Sequence, residues 1–213
     1  MVQRNQLETA KRSTKAIYER QARVWDEGRS TSLYEKPWLD RFLSFLPPKG
    51  RLLDLGCGSG IPVAGYFLGK GYDLVGVDYA DTMIALARQR YPEAEWPNAD
   101  WIVQDITQLS LEGQFDGIYS WDGFFHLSIA EQRDVLPKLA KLVKAQSAMM
   151  LTVGTGEGEV TGTVGGETVY HASLSPEEYK ERLSQYGFEN VTFVAEDSDS
   201  LGRSVLLASG KRE

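Results

Sequence analysis

Cysteine occurs only once, as Cys57, and histidine only twice, as His126 and His171. An intramolecular disulfide is therefore excluded, and no metal site is expected. A single thiol fits a reducing compartment, with the cytoplasm as the simplest address. Long apolar runs are missing too. Nothing approaches the roughly 20 residues that span a bilayer, and the polar opening MVQRNQLETAKRS lacks the apolar stretch of a secretory signal. Positive charge is also scarce: 23 Lys and Arg against 30 Asp and Glu leave a net charge of -7. That balance opposes the pull of a phosphate backbone, which comes from clustered basic side chains. Arg88, Arg90, Lys138, Lys141 and Lys144 come nearest to a basic patch, and they read as solvated helix faces. No nucleic-acid or membrane partner is expected, and 213 residues suit one well-buried domain, a monomer or homodimer.

What is present is a regular alternation. Residues 7–29 are charged, with Ile17, Tyr18, Ala22 and Trp25 spaced by about one turn, which predicts a helix lying on something else. A second helix is predicted over 34–46, stopped by Pro47, Pro48 and Gly50. Residues 1–46 read as a helical lid or cap and 47–213 as the core. In the core, strands are predicted at 51–55, 72–77, 101–104, 115–120 and 148–153, with helices over 61–69, 81–90 and 130–144 between them. Asp81 is the expected N-cap of its helix. Six glycines between Gly154 and Gly166 break the rhythm, so 154–170 reads as a glycine-rich insertion, either a β-hairpin or a mobile loop. Ser-Pro-Glu-Glu at 175–178 starts a helix that Gly187 stops. Residues 191–195 and 204–208 read as a closing antiparallel pair. The predicted class is α/β: a Rossmann-like, doubly wound, mostly parallel seven-stranded sheet with an antiparallel C-terminal pair and helices on both faces. Such sheets bind ligands beyond the carboxyl ends of their strands, where strand order reverses.

Three acidic groups stand at those ends. The first strand runs into Asp54-Leu55-Gly56-Cys57-Gly58-Ser59-Gly60, whose alternating glycines let backbone N–H groups approach a ligand without Cβ interference. A tight strand-to-helix connection would use the same residues. Asp78 falls at the end of the second strand, 18 residues beyond Gly60, where a carboxylate accepts both hydroxyls of a ribose. Asp105 with Ile106 ends the third strand, and a carboxylate beside an apolar side chain suits the amine and ring of an adenine. Tyr79 and Met83 could supply the opposite ring face, although Met83 equally suits a helix core. Dinucleotide-binding folds share the first two of these features. Their fingerprint is G-x-G-x-x-G, however, and here the glycines run G-x-G-x-G with Ile61 in the last place. Asp54 also puts an acid where a pyrophosphate would be repelled and an ammonium attracted.

On these residues the chain resembles the class I S-adenosylmethionine-dependent methyltransferases, in particular small bacterial proteins of the type 11 or 25 kind. Residues 52–60, 75–78, 104–106 and 115–127 match that family's successive motifs, and the resemblance covers roughly residues 15–209. It implies that Gly56, Cys57, Gly58 and Gly60 pass the methionine part of the cofactor with Asp54 near its amino group. Asp78 would hold the ribose, Asp105 and Ile106 the adenine, and the backbone at Ser120 and Trp121 would close the methionine end. Tyr18, Trp25 and Arg29 are implied as lid contacts. The fourth motif, Ser120 to Leu127, departs from the Asn-Pro-Pro-Tyr type that marks enzymes acting on planar amino groups.

Methyl transfer from a sulfonium needs alignment and exclusion of water more than it needs a protein nucleophile. If a hydroxyl or protonated amine accepts the methyl, a general base contributes about 10²- to 10⁴-fold. His126 and His171 are the two candidates, each with an alternative as a structural or surface histidine. Trp25, Phe124, Phe125 and Tyr170 could wall an apolar pocket for a small-molecule acceptor, or belong to the core. A NAD(P)-binding oxidoreductase and a non-catalytic S-adenosylmethionine-binding regulator stay as alternatives.

Overall fold

The short apolar runs of the first half become strands whose side chains alternate between two helical layers, as strands buried on both faces must. The computed structural model describes residues 2–212. β1 (Arg51–Leu55), β2 (Asp73–Asp78), β3 (Ala99–Val103), β4 (Phe115–Ser120) and β5 (Val143–Val153) are parallel, and β8 (Phe188–Asp197) and β9 (Arg203–Lys211) close the sheet antiparallel. The strand order is β3-β2-β1-β4-β5-β9-β8. Chain order therefore reverses at β1, which lies between β2 and β4, and the carboxyl end of β1 is the crevice where such sheets take ligands.

On one face α2 (Lys36–Leu43) and α3 (Val63–Gly69) bury Leu39, Phe42, Phe67 and Leu68 against Leu52, Leu74, Tyr119 and Met150. On the other, α5 (Ile129–Leu142) and α6 (Pro176–Gln185) bury Leu136, Leu139, Tyr179 and Leu183 against Leu53, Val75, Ile118 and Leu151. Both helices on that face start on serine caps. Ser128 and Glu131 form a reciprocal capping box, and Ser175 accepts from the Glu178 N–H. Caps of this kind contribute about 1 kcal/mol each. α4 (Asp81–Arg90) turns Ile84 and Ala87 to the first core.

Boundaries differ from expectation at most elements, and three differences have a plain cause. The helix expected to reach 144 stops at Leu142, and β5 begins at once, because Val143 pairs with Phe115 before a register shift restores Gly117 against Ala148. Asp81 is the first helical residue and Ala80 the N-cap, with no side-chain cap of its own. The capping acceptor comes instead from Glu19, whose carboxylate lies 3.2 and 3.3 Å from the Thr82 N–H. The glycine-rich stretch is a hairpin, β6 (Gly158–Val164) and β7 (Glu167–Ser173), turned at Gly165 and Gly166 with φ of 57° and 80°.

α1 (Val2–Gly28) lies across the carboxyl edge rather than on a core face. Successive turns of the helix reach different partners. Thr14 Oγ1 accepts from the Tyr170 N–H at 3.0 Å, Lys15 pairs with Asp105, Glu19 with Thr82, Arg20 and Gln21 with Glu167, and Asp26 with Arg90 at 2.9 Å. Exposed ion pairs of this kind contribute about 0–1 kcal/mol each, so the buried Ala10, Ile17 and Ala22 supply most of the adhesion. None of the described helices is long and apolar enough to cross a membrane.

Candidate active site

The turn after β1 is shaped by three glycines with positive φ, Gly56 at 71°, Gly58 at 53° and Gly60 at 80°, a conformation side chains resist. The Gly56 and Cys57 N–H groups both donate to the Val77 carbonyl, at 2.8 and 3.1 Å, which ties the turn to the end of β2. A Cβ on Gly60 would press on the Tyr91 ring at 2.9 Å. Asp54 lies beneath this turn, 4% exposed, with no hydrogen-bond partner for its side chain among the described residues. Burial and the nearby charge of Asp78 push its carboxyl up to about 8. Such a carboxylate would be relieved by a cation placed against it.

Asp78 accepts the Ala80 N–H at 2.9 Å on one oxygen and the Gly58 N–H at 3.0 Å on the other. Burial raises its pKa to about 6 in spite of these two donors. Each oxygen keeps a second lone pair, so a diol can still be accepted. Asp105 differs from expectation. One of its oxygens caps Thr107, accepting its N–H at 2.9 Å and hydroxyl at 2.8 Å, while the other is ion-paired with Lys15 of α1. The carboxylate expected at an adenine amine is thus committed to a short helical turn and to the helix above it. Ile106 is buried beside it and faces a small cavity with Tyr79, Met83 and Asp78.

Tyr18 and Trp25 of α1 fill the space over the glycine turn, leaving cavities of about 60 and 50 Å³ on either side of Tyr18. Arg29 and Trp121 line the first of them, together with Asp54 and Cys57. The Tyr79 hydroxyl and the Trp121 Nε1 are buried with no hydrogen-bond partner among the described residues. Orphaned polar atoms of this kind are uncommon and mark ligand positions or stored strain.

A third cavity, about 680 Å³, opens between the hairpin, the end of β5 and the β8–β9 turn. Its volume is in the range of small-molecule sites. Tyr18 and Asp122 line it as well as both smaller cavities, so these two residues stand where the spaces meet. Asp122 follows β4 with φ of 57° and accepts a two-pronged contact from Arg203, at 3.1 and 2.9 Å. Its N–H donates to Thr152 Oγ1 at 2.8 Å.

The two histidines separate in role. His126 Nδ1 must donate to the Tyr170 carbonyl, 2.8 Å away, so Nε2 accepts from the Tyr18 hydroxyl, also 2.8 Å away. Burial pushes its pKa down to about 4. Both ring nitrogens are therefore occupied, and His126 latches the lid instead of facing the large cavity. His171 does face it, with no hydrogen-bond partner among the described residues. Burial lowers its pKa, opposed by Asp122, and keeps the imidazole neutral near pH 7. The ring lies across Gly162 on the paired strand, where a Cβ would approach His171 Cε1 to 2.4 Å.

Of the four expected walls of an acceptor pocket, Trp25 and Phe125 line the large cavity. Phe124 is wholly buried beneath the sheet with the second core. Tyr170 turns away into the packing between α1 and the hairpin, its hydroxyl donating to Glu159. Ser120 is also structural: its hydroxyl donates to the Leu55 carbonyl at 2.7 Å. Sequence reasoning missed Asp122 and Arg203. Asp122-Gly123 was a turn signal, since Asp and Gly tolerate positive φ. Arg203 arrives from 81 positions away and leaves no local signal.

Residues 52–146, which hold the glycine turn, Asp78, Asp105 and Asp122, match the family model described as methyltransferase domain. That stretch, a little under half of the chain, is similar to methyltransferase domains. YqeM of Bacillus subtilis, whose name assigns it only provisionally to the methyltransferases, is 32% identical over 103 residues, 48% of this chain and 40% of that protein. EEF1A lysine methyltransferase 4 of Mus musculus is 32% identical over 107 residues, 46% of this chain and 41% of that protein. The chain thus spans less than half the length of these relatives. In fold, the chain is similar to the 1,6-didemethyltoxoflavin-N1-methyltransferase of Burkholderia thailandensis, solved with S-adenosylhomocysteine bound. That likeness has a TM-score of 0.70 at 19% identity and covers 97% of this chain and 89% of that one. S-adenosylmethionine is the donor that methyltransferase domains of this fold use, and the buried, unpartnered Asp54 and the bare glycine turn fit its ammonium and methionine chain.

Proposed function

We propose that this chain transfers the sulfonium methyl of S-adenosylmethionine to a small-molecule acceptor held in the cavity of about 680 Å³. The observation that carries the proposal is the meeting of the three cavities at Tyr18 and Asp122, because in-line transfer needs donor and acceptor in adjoining spaces, which Tyr18 and Trp25 would join by moving aside for the donor. Bound at the glycine turn, the cofactor supplies an electrophilic methyl on a good leaving group. The chain's residues then bind, orient and deprotonate. Asp54 takes the ammonium, Asp78 the ribose diol, and Tyr79, Met83 and Ile106 the purine. Asp105 joins them only when Lys15 releases it. Of the residues expected as a lid, α1 covers the site whereas α2 packs into the core, and 154–170 is the wall of the acceptor cavity. His171 is the general base, worth about 10²- to 10⁴-fold if the acceptor carries a proton.

Calorimetry with S-adenosylhomocysteine and with NAD tests the first half of this reading. Micromolar binding of the former and none of the latter is expected, and the reverse would favour an oxidoreductase. Turnover on a small-molecule panel, followed by coupled homocysteine release, tests the second half. Binding without turnover on any compound would favour a regulatory protein. The Burkholderia thailandensis enzyme is a 1,6-didemethyltoxoflavin-N1-methyltransferase solved with 1,6-didemethyltoxoflavin bound, which is consistent with a small-molecule acceptor here.

A further inference from the structure

We infer that the acceptor is an amphipathic amine: a primary or secondary amino group on an apolar body. This rests on the donor and acceptor cavities assigned above and specifies what the larger one takes.

Charge is the first observation. Among the described residues the only cationic side chain lining the large cavity is Arg203, whose Nε and Nη2 are spent on Asp122 at 3.1 and 2.9 Å and whose Nη1 donates to the Leu201 carbonyl at 3.3 Å. Glu157 and Glu196 remain. Glu157 has a single contact of 3.3 Å to Arg133, whose guanidinium is held chiefly by Glu178 at 2.8 Å through two nitrogens. The Glu196 carboxylate makes no hydrogen bond or ion pair among the described residues. A carboxylate or phosphate acceptor would find repulsion here and no free cation, whereas a protonated amine would be drawn in.

The second observation is the neutral, unpartnered imidazole of His171, kept clear by the absence of a side chain at Gly162. A preformed carboxylate or thiolate has no use for a base, but an ammonium cannot attack until one removes its proton. The third is the rim. Val160 and Leu201 are 60% and 63% exposed, and they face the opening together with the buried Val153 beneath. Large apolar side chains so exposed around one cavity mark an apolar ligand surface.

The step balances with these residues alone. One N–H proton of the ammonium passes to His171, the freed lone pair forms the N–C bond to the donor's methyl, and the C–S electron pair returns to sulfur. The products are a methylated ammonium, S-adenosylhomocysteine and an imidazolium that releases its proton to water.

Ligand-observed saturation-transfer NMR on the full chain with S-adenosylhomocysteine present tests the inference. The probes are matched triples of an arylalkyl or alkyl primary amine, protonated at neutral pH, the corresponding alcohol and the corresponding carboxylic acid. Amines are expected to dominate the binders. The double variant Glu157→Gln, Glu196→Gln should weaken them about three- to tenfold at low salt and leave the alcohols unchanged, the scale expected of exposed charges. His171→Gln should keep amine binding and lose N-methylation. An even spread across the three head groups, an absence of amine binders, or amine affinity untouched by the double variant would overturn the inference. Failure of S-adenosylhomocysteine itself to bind would instead defeat the donor site on which it rests.

Discussion

Replacing Asp54 with asparagine probes the donor site through pH. In the folded chain the Asp54 carboxyl titrates at about 8, against 3.8 for the free group, because it is buried and shares its surroundings with Asp78. A raised acid binds its proton more tightly in the folded state. The ligand-free protein therefore loses stability as pH rises from about 4 toward 8, at up to about 1.4 kcal/mol per pH unit. Binding of a donor ammonium selects the ionised form. At pH 7 ionising Asp54 costs about 1.4 kcal/mol, since each pH unit below the pKa is a factor of ten. S-adenosylhomocysteine affinity is thus expected to rise about tenfold from pH 6 to pH 7 and to level off near pH 8. About nine-tenths of a proton should be released on binding at pH 7, seen as a difference in calorimetric heat between phosphate and Tris buffers. Asp54→Asn keeps the shape and removes the charge. It should remove most of the slope and the proton release, leaving only the weaker dependence of Asp78, which titrates at about 6, and lower affinity at pH 8 about ten- to hundredfold, the scale of a charge-assisted hydrogen bond. A flat profile in the wild type, or an unchanged slope in the variant, would refute the assignment.

Other perturbations separate the remaining roles. Asp78→Ala should cost at least tenfold in S-adenosylhomocysteine affinity and lower Tm by several degrees, because the Gly58 and Ala80 N–H groups lose their acceptor. Circular dichroism melts and calorimetry read both effects. Gly162→Ala should displace the His171 ring, lowering turnover at least tenfold with little change in donor affinity. Equal loss of both would point to a misfolded hairpin. His126 titrates at about 4, below its unfolded value of 6.5, so its contribution to stability is complete above pH 6.5 and declines as pH falls toward 4. Denaturant melts of wild type and His126→Gln across pH 4–7 should therefore converge at the acid end.

Much of the fold was legible because local signals agreed with the global arrangement. The Arg51–Leu55 and Phe115–Ser120 strands and the Asp81–Arg90 helix match expectation residue for residue, since glycines flank both strands and Pro92 follows the helix. The helix cap was misread because Glu19, 63 positions away, supplies the acceptor that Asp81 was expected to give. The same limit governed the site. Asp54, Asp78 and the glycines are written in one stretch of chain and could be read together. The large cavity is assembled from the ends of β4 and β5, the hairpin and the β8–β9 turn, and the pairing of Asp122 with Arg203 exists only once the sheet has closed. Phe124 and Phe125 show the resolution of sequence alone: adjacent aromatics, one sealed in the core and one lining the cavity.

A crystal structure of the protein with S-adenosylhomocysteine tests the proposed donor and acceptor arrangement most directly. The ribose should hydrogen-bond Asp78, with the sulfur directed toward the large cavity past Asp122. Ligand found elsewhere, or bound with Asp54 and Asp78 untouched, would contradict it.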